Sequence, residues 1–341
     1  LARYLAGLEL ECDSYYVETR LNSSPQTDLL LAFERHNPHL ARVLERLRFL
    51  ARGAAPASQP AWRVAERFIE RWLCPTDPLH DAVSTVWFEF DDVLRPLRSA
   101  APSLSACLVP AYSARFEPRA VSASAIAAAL QIAQRALCGA DGDAADFQRM
   151  NLAVAGLPPA GRFIHLSHMT ARRSADLKLY GVVPRDELVP YLERIGFQGP
   201  LARLSELLES LATRELCAED LYFDLNLSNV QQAGRASLGL AFSQQQVLAS
   251  AAKDRGRAAL LARLSNWGLC SAAQASALAE WGGASATAGS WYTPAVRRWL
   301  DLKCVISAQG VVQCKAYLGF APRRSPFAIA SLPRPNERAP L

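Results

Sequence analysis

Two helical stretches followed by two extended ones, repeated about four times after an opening strand, restrict this chain's fold more than any other feature of its sequence. That order excludes the β-α-β alternation of a doubly wound parallel sheet. Strands joined by connections as short as Gln309-Gly310 must run antiparallel. Period-two alternation predicts an opening strand at residues 8–12, extended through Tyr15-Tyr16-Val17, and further strands at 86–91, 104–109, 163–168, 176–183, 221–227, 236–242, 299–306 and 311–320. Three- and four-residue apolar spacing predicts helical segments at 28–33, 40–47 running up to Gly53, 62–73, 122–137, 146–155, 185–195, 201–211, 245–264 and 272–281. One domain over residues 1–320 follows, with a loose Pro-rich tail over 321–341.

The strands have two chemically different faces. One is apolar: Val86/Phe88/Phe90, Leu177/Leu179, Leu221/Phe223/Leu225, Leu238/Leu240/Phe242, Leu302/Cys304/Ile306 and Cys314/Ala316/Leu318, with Leu8/Leu10/Cys12 at the start. The other is polar: Glu9/Glu11, Trp87/Glu89/Asp91, Asp176/Lys178/Tyr180, Tyr222/Asp224/Asn226, Asp301/Lys303 and Gln313/Lys315/Tyr317. Helices cover the apolar face. The polar face then meets bulk solvent on an open α+β sheet, or lines the inside of a closed barrel. Nine or ten antiparallel strands left open would expose two long edges, and closure removes them. The fold expected is therefore α+β, with repeated helix-helix-strand-strand units forming a closed antiparallel β-barrel and the helices outside. In that arrangement Lys178, Lys315, Glu89 and Tyr222 share one enclosed space, while Leu179, Phe90 and Phe223 lie under helices.

Composition narrows the function classes. A net charge of +5, from 37 basic and 32 acidic residues without a Lys-rich tract, makes nucleic acid and anionic membrane poor partners. Eight cysteines stand far apart with no CxxC pair and no zinc spacing, so they read as reduced, buried thiols of a cytoplasmic protein. No apolar run approaches the roughly 18 residues of a membrane span. Walker, GxGxxG, GxSxG and HExxH motifs are missing from the sequence, and His165 with His168 lacks a third metal ligand nearby. Trp299 and Trp291 read as core packing.

Lys178-Leu179-Tyr180 and Lys315-Ala316-Tyr317 are two Lys-x-Tyr pairs on expected barrel strands. They resemble the Lys-x-Tyr strands of the aromatic prenyltransferases with the αββα barrel, the superfamily of indole and dimethylallyltryptophan synthases, and the element order over about residues 8–320 is similar to that family's. The resemblance implies that inward basic side chains hold the diphosphate of an allylic donor and that inward tyrosines shield the allylic cation. On this sequence the donor-binding lysines are then Lys178, Lys303 and Lys315, and the aromatic faces are Tyr180, Tyr222, Tyr317 and Trp87. A carboxylate must accept the ring proton of the acceptor; Glu89 is the first choice and Glu11 the second, each at mid-strand on the polar face. Where the family often carries further basic residues, Tyr222, Asp224 and Asn226 stand. That substitution makes the lumen acidic for the family.

The activity implied is transfer of an isoprenoid from an allylic diphosphate to an indole, a phenol or such a side chain of a peptide, with no cofactor required and Mg²⁺ left open. The competing class is a non-catalytic or accessory barrel protein that binds a peptide or small metabolite at the same mouth.

Overall fold

The computed structural model describes residues 10–22, 26–53, 59–91, 93, 110–116, 123–138, 144–168, 177–210, 220–230, 237–243, 251–281, 283–285, 296–307 and 309–322. Strands come in hairpins: β1 (Ser14–Arg20) with β2 (Thr27–Glu34), β3 (Val83–Phe90) with β4 (Pro110–Phe116), β5 (Arg162–His168) with β6 (Leu177–Pro184), β7 (Asp220–Asn226) with β8 (Leu238–Ser243), and β10 (Val296–Ser307) with β11 (Gly310–Pro322). A three-residue strand, β9 (Gly283–Ser285), adds to the outer part of β10. Between the hairpins run α1 (Leu40–Gly53), α2 (Gln59–Leu73), the short α3 (Pro78–Ala82), α4 (Ala123–Cys138), α5 (Ala144–Ala155), α6 (Leu188–Arg194), α7 (Leu201–Ser210), α8 (Ala251–Asn266) and α9 (Ala272–Glu280).

Every pairing is antiparallel, and the pairings form a circuit. They run from β1 through β8 in order, omit only β9 on passing from β8 to β10, continue to β11, and return from β11 to β1. The last hairpin turns at Gly310, whose φ of 96° suits glycine and few other residues. Leu179 and Phe90 are fully buried on the outer face and Phe223 is 1 % exposed. The ring of Phe90 meets Trp62 of α2 and that of Phe223 meets Tyr191 of α6, so the apolar face lies under helices as its alternation requires. Among the described residues no helix is long and apolar enough to cross a membrane.

Two sequence expectations change. Residues 28–33 form the middle of β2 and not a helix. A short continuous apolar run suits a strand buried on both faces as well as a helix. Here Leu29, Leu31 and Phe33 fill the helix layer while Leu30 and Ala32 close the inner face. The opening strand is Ser14–Arg20; residues 10–12 only lead into it, and residues 8 and 9 lie outside the described residues. The strand expected at 104–109 lies outside the described residues, as does the tail beyond 322.

The six described cysteines are free thiols. Cys304 and Cys314 are direct partners across β10 and β11, both fully buried in the helix-facing layer. All eight thiols of the chain are expected to titrate in denatured, anaerobically handled protein. A count of six would mean that one pair had oxidised.

Candidate active site

The pleat turns one side chain in two toward the lumen, and the register decides which of these meet. Across β10, β11 and β1 three cations lie in one rung: Lys303 opposite Lys315, and Lys315 opposite Arg20. Directly opposed like charges destabilise a sheet unless anions lie among them. Two carboxylates serve that purpose. Glu18 forms an ion pair with Lys315. Asp224, from β7, forms ion pairs with Lys303 at 2.5 Å and with Lys178, on β6, at 3.0 Å. Lys303, Lys315, Glu18 and Asp224 are all buried. Arg20 differs, since its Nε is buried with no acceptor among the described residues.

These pairings fix the charge states. Burial by itself would raise the Glu18 carboxyl, but the charges of Lys315 and Lys303 and hydrogen bonds from Lys315 and Tyr317 pull it down to about 2. Asp224 is likewise driven well below the carboxylate range, with Lys178 and Lys303 overcoming the cost of burial. Tyr317 is held well above its ordinary value by burial and then by the charges of Glu18, Tyr180, Glu89 and Asp224. Groups from β1, β3, β6 and β7 therefore all act on one phenol of β11.

Beside the charged rung runs an aromatic wall. Tyr16 stacks on Trp87 at 5.2 Å between centroids and meets Trp299 edge-on at 5.2 Å. Trp87 contacts His165 at 5.2 Å, His165 contacts Tyr180 at 5.6 Å, and the Lys303 ammonium sits 5.4 Å above the Tyr180 ring. By alternation along β10 Trp299 shares the face of Asp301 and Lys303, so it belongs to this wall and not to the packed core expected of it; Gly319 opposite gives it room, since a Cβ there would come within 2.2 Å of the indole. Glu18, Asp28 and Glu89 bring carboxylate oxygens within 4.8 Å of one another, close enough to share a proton or a hard cation.

Of the residues singled out in the sequence, Lys178, Tyr180, Lys303, Lys315, Tyr317, Trp87 and Glu89 converge in this way, and Tyr222 lies on the same face of β7 as Asp224. Glu11 does not. It lies before β1 on the exterior, exposed, with its carboxylate on His39 at 2.9 Å and Arg42 at 3.4 Å. The first strand starts later than its acidic alternation suggests, so Glu18 occupies the inward place expected of Glu11. Sequence reasoning also missed Tyr16, Arg20 and Asp28, although Tyr16, Glu18 and Arg20 alternate along β1 in the pattern used elsewhere.

No family model matches the sequence, and no curated protein matches it. Solved structures do. AnaPT from Neosartorya fischeri superposes with a TM-score of 0.54 at 13 % identity, over 89 % of this chain and 77 % of that one. A 6-dimethylallyl tryptophan synthase superposes at 0.51 and 14 % identity, over 91 % and 83 %. The 6-dimethylallyltryptophan synthase of Micromonospora olivasterospora, solved with DMASPP and Trp, overlaps at 0.47 and 12 % identity, over 90 % and 81 %, too loosely to carry an argument. The fold is thus the αββα barrel of the aromatic prenyltransferases, as the Lys-x-Tyr strands and element order imply.

Proposed function

We propose that this barrel transfers an isoprenoid from an allylic diphosphate to an aromatic acceptor such as an indole or a phenol. The observation that carries the proposal is the meeting of Lys178, Lys303 and Lys315 with a continuous aromatic wall inside one lumen. Lysine ammonium groups suit phosphate oxygens as mobile point charges, and the Arg20 guanidinium adds a fork of donors beside them.

In the step proposed, the donor's allylic C–O bond breaks and its electron pair leaves with the diphosphate, which the cations stabilise. The allylic cation is shielded by the faces of Tyr180, Tyr222, Tyr317 and Trp87, with Tyr16 completing that wall. A ring carbon of the acceptor supplies the electron pair of the new C–C bond. Glu89 takes the ring proton, restoring aromaticity. The lysines and Arg20 would serve as the diphosphate's cationic partners, with Glu18 and Asp224 already offsetting two of those charges, and the oxygen set of Glu18, Asp28 and Glu89 would suit Mg²⁺ if one were used.

The test is isothermal titration with a non-hydrolysable allylic diphosphate analogue, with Mg²⁺ and with EDTA, beside a product assay on an indole and a phenol. Saturable donor binding and a product heavier by the isoprenoid are expected, in EDTA as in Mg²⁺. Two carboxylates already pair with the three lysines, and that observation favours the competing reading of an accessory barrel that binds a peptide or small metabolite. No donor affinity under either condition would leave that reading in place.

A further inference from the structure

We infer that Asp224 is a resident counter-anion of the donor site, a positioning residue that ties two lysines together and against which an incoming diphosphate must compete. The inference rests on the reading of the lysines as the phosphate-binding groups. Lys178 and Lys303 stand on β6 and β10, strands separated by β7 and β8, and neither is the other's neighbour in the sheet. One carboxylate joins them, with Oδ1 on the Lys178 ammonium at 3.0 Å and Oδ2 on the Lys303 ammonium at 2.5 Å. Asp224 is 4 % exposed, so water does little to screen either contact.

The backbone is shaped around this bridge. Gly239 of β8 lies directly opposite Asp224, between its strand and that of Lys303. A Cβ at position 239 would fall 2.1 Å from Asp224 Oδ2 and 2.6 Å from Lys303 Cε. Only a residue without a side chain leaves the Asp224 carboxylate room to reach across β8. The sequence thus spends a glycine in mid-strand, which costs strand stability, at the one place where the bridge needs space.

A bridge of this kind has two opposed consequences. It fixes two ammonium groups that would otherwise repel each other and scatter, which favours an ordered departure of the leaving group. It also puts a permanent negative charge beside the phosphates, which weakens their binding. Removing the charge should therefore tighten anion binding and slow turnover together. A carboxylate that merely stabilised the barrel would not tighten anion binding when removed: its loss would loosen the site and weaken that binding.

Titration of purified full-length protein with inorganic pyrophosphate separates the cases. Asp224→Asn is expected to bind pyrophosphate about tenfold or more tighter than wild type. Gly239→Ala, which pushes the carboxylate off Lys303 while keeping it in the protein, should move affinity in the same direction by less, and it serves alone if Asp224→Asn does not fold. In the product assay kcat should fall while the donor KM falls with it. Equal or weaker pyrophosphate binding by both variants, including no binding by any of the proteins, overturns the inference. Product formation by wild type tests the transferase reading separately. Wild type inert toward the donor beside a variant that gains pyrophosphate affinity would sink that reading and leave the counter-anion standing.

Discussion

Glu89→Gln is expected to leave donor affinity unchanged and to cut turnover by about a hundredfold or more, the usual worth of a positioned general base. Glu89 is half-buried on β3 and faces the lumen two residues from Trp87, so its carboxylate borders the aromatic wall on which an acceptor would lie. The amide keeps the shape and the hydrogen-bonding edge but cannot take the ring proton. A fall in kcat without a rise in the donor dissociation constant is the signature of an interaction made only in the transition state. The measurement is single-turnover product formation beside titration with the donor analogue. Should Glu89→Gln turn over normally, the base has to be reassigned to Asp28, whose carboxylate lies within 4.8 Å of that of Glu89. Glu11 is no longer a candidate, because its carboxylate is on the outside with His39 and Arg42. Glu18 is a poor one, since Lys315 and Lys303 hold it as a weakly basic anion.

Much of this site could be read from strand alternation alone. Lys178 and Tyr180, Lys303, and Lys315 and Tyr317 fall on one face by the period of two, and closing the sheet brings that face together. The errors cluster on the first hairpin and have one cause. In Leu29-Leu30-Leu31-Ala32-Phe33 both faces are apolar, so the alternation that distinguishes strand from helix is absent. A helix over 28–33 leaves β1 without the partner that fixes its limits, and the acidic alternation ending at Cys12 places it too early. Asp28 and Glu18, which face each other across that hairpin, were lost together. The bridge from Lys178 through Asp224 to Lys303 was beyond local pattern for another reason. It joins side chains of three strands across an intervening fourth, through a gap whose width is set by a glycine on that fourth strand.

Lys315→Met should destabilise the protein by about 3–5 kcal/mol and reverse part of its response to acid. Lys315 is the ion-pair partner of a carboxylate that is 2 % exposed, and removing it takes away the largest of the charges that compensate the buried anion, leaving Lys303 and the Tyr317 hydrogen bond. In wild type the Glu18 carboxyl is pulled from its ordinary 4.5 down to about 2, with burial opposing and Lys315 leading the charges that prevail; Lys303, Tyr317, Asp28 and Glu89 also face it. Because the folded value lies below the unfolded one, the stability that this group contributes is fully present above about 4.5. It is lost as pH falls from there toward about 2. Asp224, also held low, adds a loss of the same sign at still lower pH. In Lys315→Met the largest downward pull is gone and burial works to raise the carboxyl, so protonation should relieve the buried charge and stability should recover part of its deficit as pH is lowered from 7. Urea unfolding midpoints for both proteins between pH 3 and pH 7 check this. Parallel pH profiles would show that Lys315 does not govern Glu18, and adding Glu18→Gln to Lys315→Met should restore most of the loss if it does.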